Sequence, residues 1–152
     1  MKIVAWLTGM LASMDPAAIP VDYAKPPVVV VHGIDGSARD MARLVRALQA
    51  DGREVFAPSL SPNDGSASID ELSAQLNEYI EANVKRRPFD LIGYSMGGIV
   101  SRHYLQRREG MEQTRKFITL CSPHHGTITA ALRNQPGARQ MRRGSPFLQD
   151  LN

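Results

Sequence analysis

Gly93-Tyr94-Ser95-Met96-Gly97 sets a serine between two glycines, each two residues away. The run before it, Phe89-Asp90-Leu91-Ile92, suits a buried strand, and Met96 to Arg108 suits a helix. A serine hydroxyl is too weakly acidic to attack an ester unaided. It needs a histidine to take its proton and a carboxylate to orient that histidine. A sharp strand-to-helix turn lifts the hydroxyl above a sheet, and side chains two residues to either side would strike the neighbouring strand and helix. Gly93 and Gly97 meet that requirement. The plainer reading is a serine that only caps a helix.

A second segment, Val31-His32-Gly33-Ile34-Asp35-Gly36, follows the run Val28-Val29-Val30-Val31. A glycine-lined turn at the carboxyl end of a parallel strand leaves backbone N–H groups facing the crevice where such sheets bind ligands. Together with the N–H of Met96, those donors suit a developing oxyanion. A third segment, Thr119-Leu120-Cys121-Ser122-Pro123-His124-His125-Gly126-Thr127, follows the next strand and falls on the same rim.

The elements that must position these segments alternate. Four β-branched valines predict a strand buried on both faces. Asp40 to Ala50 reads as a helix through Met41, Leu44, Val45 and Leu48, and Glu54 to Ala57 as a short strand stopped by Pro58. Ser68-Ile69-Asp70-Glu71 is a capping box opening a helix whose Leu72, Leu76 and Ile80 share one face. Phe89 to Gly93 is the third strand and Lys116 to Leu120 the fourth. Ser122 to Asn152 is turn-rich with short helical pieces. The fold class is α/β, a parallel sheet with helices on both faces, and the sequence stops after the fourth recognisable strand. Residues 1–27 read as an N-terminal segment and linker, and residues 28–152 as the folded domain.

Eighteen Lys and Arg stand against 15 Asp and Glu, and the cations fall in short clusters such as Lys85-Arg86-Arg87 and Arg139 to Arg143. Solvated helix ends and loops account for these, with an anionic surface as the alternative. No aromatic residues interleave with them, which argues against nucleic acid as a partner. Cys121 is the only cysteine. That excludes an intrachain disulfide, and no metal-ligand spacing is present, so neither metal nor cofactor is expected. Met1-Lys2 before the mostly apolar Ile3 to Met14 reads either as a weak secretion signal or as a first packing segment. Location is accordingly cytoplasmic or secreted. The segment is too short to span a bilayer.

Taken together, the three segments resemble those of the α/β-hydrolases, and among them bacterial triacylglycerol lipases and related esterases. The likeness runs from about Val28 to Asn152 and includes Gly137-Ala138-Arg139-Gln140-Met141 and Gly144-Ser145-Pro146-Phe147-Leu148. It implies Ser95 as nucleophile and the N–H groups of Ile34 and Met96 as the oxyanion hole. His32, Gly33, Gly93, Gly97, His124 and His125 would form the elbow and line the site. It also implies a sheet order of second, first, third, fourth, with two further strands normally beyond, so that the fourth strand is an exposed edge. Cys121 stands where relatives often have glycine and is read as a small buried apolar residue.

The acid and base are harder to place. In α/β-hydrolases the order is serine, acid, histidine. His103 lies eight residues along the nucleophile's helix, about 12 Å away at 1.5 Å per residue, whereas a base must come within about 3 Å. Glu109 and Glu112 fall at the far end of that helix, and no histidine follows Asp150. His32 precedes Ser95 and is expected to brace the oxyanion turn. His124 and His125 are on the correct rim, as structural or substrate-lining residues or, alternatively, as the base. The sequence thus encodes the nucleophile half of a serine ester hydrolase, impaired or incomplete as encoded, either a truncated lipase or a shortened relative. The expected partner is a small-molecule or lipid ester, with peripheral contact to a lipid surface. An acyltransferase or thioesterase on the same elbow, or a non-catalytic acyl-binding module, are the alternatives.

Overall fold

The computed structural model describes residues 20–152. The stretch read as a secretion signal or first packing segment lies outside the described residues.

Strand β1 is Val28–Val31, and all four valines are completely buried. Side chains branched at Cβ are stiff and fill a pleat enclosed on both faces. β1 lies between β2 (Val55–Phe56) and β3 (Phe89–Tyr94), and β4 (Thr114–Leu120) continues the sheet beyond β3, giving the order β2-β1-β3-β4. Every neighbouring pair is parallel. Each crossover runs through a helix, as parallel pairing demands: α1 (Ala42–Ala50), α2 (Ile69–Asn83) and α3 (Met96–Arg107). The expected class and strand order are those observed.

Side chains alternate across the pleat. Val28, Val30 and Ile92 face α1 and pack on Met41, Leu44 and Leu48. Val29, Val31, Phe89 and Leu91 face the other way, into the core built with α2 and α3. Leu72, Leu76 and Ile80 point into that core from α2, as their spacing predicted. The capping box is fully formed: Ser68 Oγ accepts from the Glu71 N–H at 3.1 Å, and the Glu71 carboxylate accepts from the Ser68 N–H at 2.7 Å.

The third and fourth strands are longer than expected. β3 runs on to Tyr94, and β4 starts at Thr114 because Phe89 pairs with Thr114 across an irregularity in register. Two short helices follow β4, α4 (Pro136–Gln140) and α5 (Pro146–Leu151), each with proline in its first turn. Leu148 and Leu151 of α5 join the core on the α2–α3 side. Helix α1 covers only part of its face. In register, Tyr94 pairs with Leu120 and Ile92 with Ile118, so these side chains share the α1 face; Tyr94, Ile118 and Leu120 remain about two-fifths exposed. Among the described residues β4 is an edge strand.

The register also aligns the functional rim. Val31 pairs with Gly93, and Gly93 with Thr119. Residues 32–36, 95–98 and 121–127 therefore leave three adjacent strands at the same carboxyl end.

Candidate active site

Ser95 lies between the end of β3 and the start of α3 with φ 52° and ψ −122°. L-residues avoid this region, and holding one there costs on the order of 1–3 kcal/mol. The surroundings enforce it. The Ser95 N–H donates to the Leu120 carbonyl at 2.8 Å, and the Ser95 carbonyl accepts from the Gly98 N–H at 3.0 Å. A Cβ on Gly97 would lie 2.3 Å from the His32 carbonyl oxygen, and one on Gly93 would lie 2.5 Å from the Gly98 Cα. Both glycines are fixed by close backbone approach.

The turn after β1 presses against this elbow. A Cβ on Gly33 would stand 2.9 Å from the Ser95 Cβ. His32, 1% exposed, explains how the turn is held. Its Nε2 accepts from the Leu60 N–H at 2.9 Å, so the ring proton is on Nδ1, which donates to the Gly33 carbonyl at 2.8 Å. In a trans peptide C=O and N–H point in opposite directions. Anchoring the Gly33 carbonyl on His32 therefore turns the Ile34 N–H away from His32. Among the described residues neither the Ile34 N–H nor the Met96 N–H has an acceptor. Met96 is the first residue of a 12-residue helix, whose positive dipole end adds to the field at Ser95.

The loop after β4 closes the rim. Gly98 makes room for it: a Cβ there would meet the Ser122 hydroxyl at 1.9 Å. His124 is half-buried, and its Nε2 hydrogen-bonds Thr119 Oγ1 at 3.1 Å, while Nδ1 is buried and unpartnered. Burial, then the nearby Arg102 and His125, hold its pKa below the ordinary histidine value. His125 is exposed. Among the described residues no histidine or carboxylate is hydrogen-bonded to the Ser95 hydroxyl. Cys121 corrects an expectation: it is exposed, not buried, and has φ 52°. The backbone conformation, not packing space, accounts for a position that favours glycine.

The remaining titratable residues after Ser95 are engaged elsewhere. His103 is buried between α2 and α3, where its Nδ1 bonds Ser73 Oγ at 2.7 Å and its ring stacks on Phe147. Burial lowers its pKa. Asp150 pairs with Arg107 at 2.7 Å. Glu109 and Glu112 line a polar cavity of about 590 Å³ at the amino end of β4, the opposite end of the sheet from Ser95. An apolar cleft of about 400 Å³ lies nearer, between α1 and Tyr94 and Leu120. Among the described residues no cluster of His, Cys, Asp or Glu could hold a metal ion, and no helix is long and apolar enough to cross a membrane.

The model of the palmitoyl protein thioesterase family matches residues 27–151. The chain belongs to that family. It is 30% identical over 125 residues to the lysosomal thioesterase PPT2 homolog of Drosophila melanogaster, covering 79% of this chain and 43% of that protein. It is 28% identical over 137 residues to a triacylglycerol lipase of Burkholderia plantarii, covering 82% of this chain and 37% of the lipase. The chain thus spans less than half the length of either relative. The mature Bacillus licheniformis lipase BlEst2 superposes with a TM-score of 0.66 at 27% identity, over 86% of this chain and 59% of that one. Aspergillus fumigatus lipase B shares the fold at 21% identity with a TM-score of 0.69, over 93% of this chain and 36% of that one. The fold is that of the α/β-hydrolases, and the chain is similar to lipases and esterases, as the three rim segments had implied.

Sequence reasoning missed three parts of the site. The Leu60 N–H that fixes the His32 tautomer is 28 residues away, Gly98 was not singled out beside Gly97, and Arg133 was passed over although it bonds Asp35 across 98 residues. No local pattern signals the two pairs at such separations, and Gly98 shows its role only against Ser122.

Proposed function

We propose that this chain carries the nucleophile half of a serine carboxylic ester hydrolase. Ser95 Oγ attacks the acyl carbonyl carbon while its proton passes to water, and the carbonyl oxygen becomes an oxyanion held by the N–H groups of Ile34 and Met96. The bond to the leaving alcohol breaks, and water then releases the acid from the acyl-serine. The observation that carries the reading is the strained Ser95 turn in contact with a second turn whose Ile34 N–H has no acceptor among the described residues. Substrates are lipid or small-molecule esters approaching the carboxyl rim. Gly93, Gly97 and Gly33 permit the geometry, His32 braces it, and His124 and His125 line the approach.

With no base bonded to Ser95 among the described residues, the chain alone hydrolyses slowly. Removing the triad of a serine protease leaves roughly 10³–10⁴-fold catalysis over water from the oxyanion hole and binding. The test is a rate series with one short-chain aryl ester on wild type and the Ser95→Ala, His124→Ala and His125→Ala variants. Slow hydrolysis, lowered in Ser95→Ala and little changed in either histidine variant, fits the proposal. Lipase-level turnover that collapses in either histidine variant would place a base within this chain and overturn it.

The family match favours a second reading, in which the acyl donor is a thioester. The same elbow and oxyanion donors serve it, and the better leaving group depends less on an acid. Matched oxygen and thiol esters of one acyl chain separate the two readings by their relative rates.

A further inference from the structure

The turn after β1 is gripped at both ends. His32 fixes the Gly33–Ile34 peptide. The other half is Asp35-Gly36, with Asp35 at φ 57°, a left-handed conformation uncommon outside glycine, though aspartate adopts it more readily than most residues. The contacts that hold it come from two distant segments. The Asp35 N–H donates to the Asn63 carbonyl at 2.8 Å, and Asn63 Nδ2 donates to the Gly36 carbonyl at 2.5 Å. Arg133 meets the Asp35 carboxylate with both ends of its fork, Nη1 to Oδ1 at 3.0 Å and Nη2 to Oδ2, and Nη1 also donates to the Asp64 carbonyl at 3.1 Å. Arg133 is itself held, since its carbonyl accepts from Arg142 Nη2 at 2.6 Å. The Ile34 side chain is seated beside Gly65, where a Cβ would come within 3.2 Å of its Cδ1.

We propose that Arg133 is a positioning residue for the oxyanion donor on Ile34. It does not touch the reacting atoms. It locks Asp35 onto the 63–65 loop, and the locked turn aims the preceding N–H. The inference rests on the reading of Ile34 as an oxyanion donor. A planar guanidinium meeting a carboxylate through two parallel bonds fixes direction as well as distance, which a lysine ammonium cannot do. Arg133 is 37% exposed and Asp35 50%, so the pair adds little to global stability. Its effect is local, on the angle and mobility of one turn.

An alkylboronic acid tests this without requiring turnover. Ser95 Oγ adds to boron, its proton passes to the buffer, and the resulting tetrahedral anion places an oxygen where the oxyanion would form. Its dissociation constant, read from the tetrahedral boron signal at fixed pH, is compared for wild type, Arg133→Ala, Arg133→Lys, Arg139→Ala and Ser95→Ala, with melting temperature as a second readout. Arg133→Ala should weaken the adduct about tenfold, part of the 10²–10³-fold that loss of a whole oxyanion donor costs. Arg133→Lys should recover part of the loss, Arg139→Ala on the exposed side of α4 should match wild type, and melting temperatures should stay together. An adduct in wild type that Arg133→Ala leaves unchanged overturns the positioning role alone. Equal losses in Arg133→Ala and Arg133→Lys with a lowered melting temperature also overturn it, because the residue is then structural. No Ser95-dependent adduct in wild type overturns the reading of the site itself.

Discussion

Replacing Gly97 by alanine sets two effects of known sign against each other. Gly97 is the second residue of α3, and alanine in a helix is favoured over glycine by up to about 1 kcal/mol. Against this, the new Cβ would lie 2.3 Å from the His32 carbonyl oxygen and 2.5 Å from that of Val31. Carbon and oxygen normally stay above about 3.2 Å, so the overlap is roughly 0.9 Å with the backbone just after β1 and roughly 0.7 Å with the last residue of that buried strand. Overpacking of this kind costs about 1–3 kcal/mol even where side chains can yield, and here no side chain is available to yield. The clash wins, with net destabilisation of about 2 kcal/mol. Relief requires α3 to move from β1 by most of an ångström, which separates the Met96 N–H from the Ile34 N–H. Urea denaturation followed by circular dichroism gives the stability change. Gly144→Ala is the comparison, because nothing lies within 4 Å of its added Cβ and only its φ of 69° opposes alanine. A Gly97→Ala variant at least as stable as wild type would refute the reasoning, since propensity would then have outweighed contact.

Other outcomes follow from the same contacts. Ser68→Ala removes one arm of the capping box and should cost about 1 kcal/mol in urea unfolding. Asp90, 4% exposed, pairs with Arg53 at 2.5 Å while its Oδ1 is unpartnered; Asp90→Asn leaves a half-buried guanidinium with reduced compensation and should cost about 3 kcal/mol. His103 and His124 have pKa values lowered by burial. The unfolded chain therefore binds more protons, and their contribution is intact above the unfolded value near 6.5 and lost as pH falls through the lowered folded values. Stability should decline from pH 7.5 to pH 5.5, and His103→Gln should reduce that difference. An equal decline in the variant would assign the pH dependence to other groups.

The fold was legible wherever one residue type or spacing leaves a single local solution. Four consecutive valines suit a strand enclosed on both faces, Ser68 and Glu71 fix a helix start, and Leu72, Leu76 and Ile80 fix its buried face. The elbow was legible because Gly93 and Gly97 answer a steric demand made within five residues. Boundaries were less so: β4 begins at Thr114, where pairing with Phe89 decides, and no pattern inside residues 114–116 records that partner. Cys121 was misread because composition suggests burial, whereas a positive φ at the strand end places the side chain in solvent. The His32 tautomer and the Arg133–Asp35 pair depend on chain segments brought together only by the finished sheet.

The central claim is that Ser95 and the N–H groups of Ile34 and Met96 converge on one oxyanion. The most direct measurement is the ¹H–¹⁵N spectrum of the labelled chain with and without an alkylboronic acid, in wild type and in Ser95→Ala. The account predicts that the Ile34 and Met96 amide protons both move downfield as the adduct forms, as donors to a new anionic oxygen do, and that neither moves in Ser95→Ala. An adduct that leaves either amide in place, or the same shifts without Ser95, would contradict it.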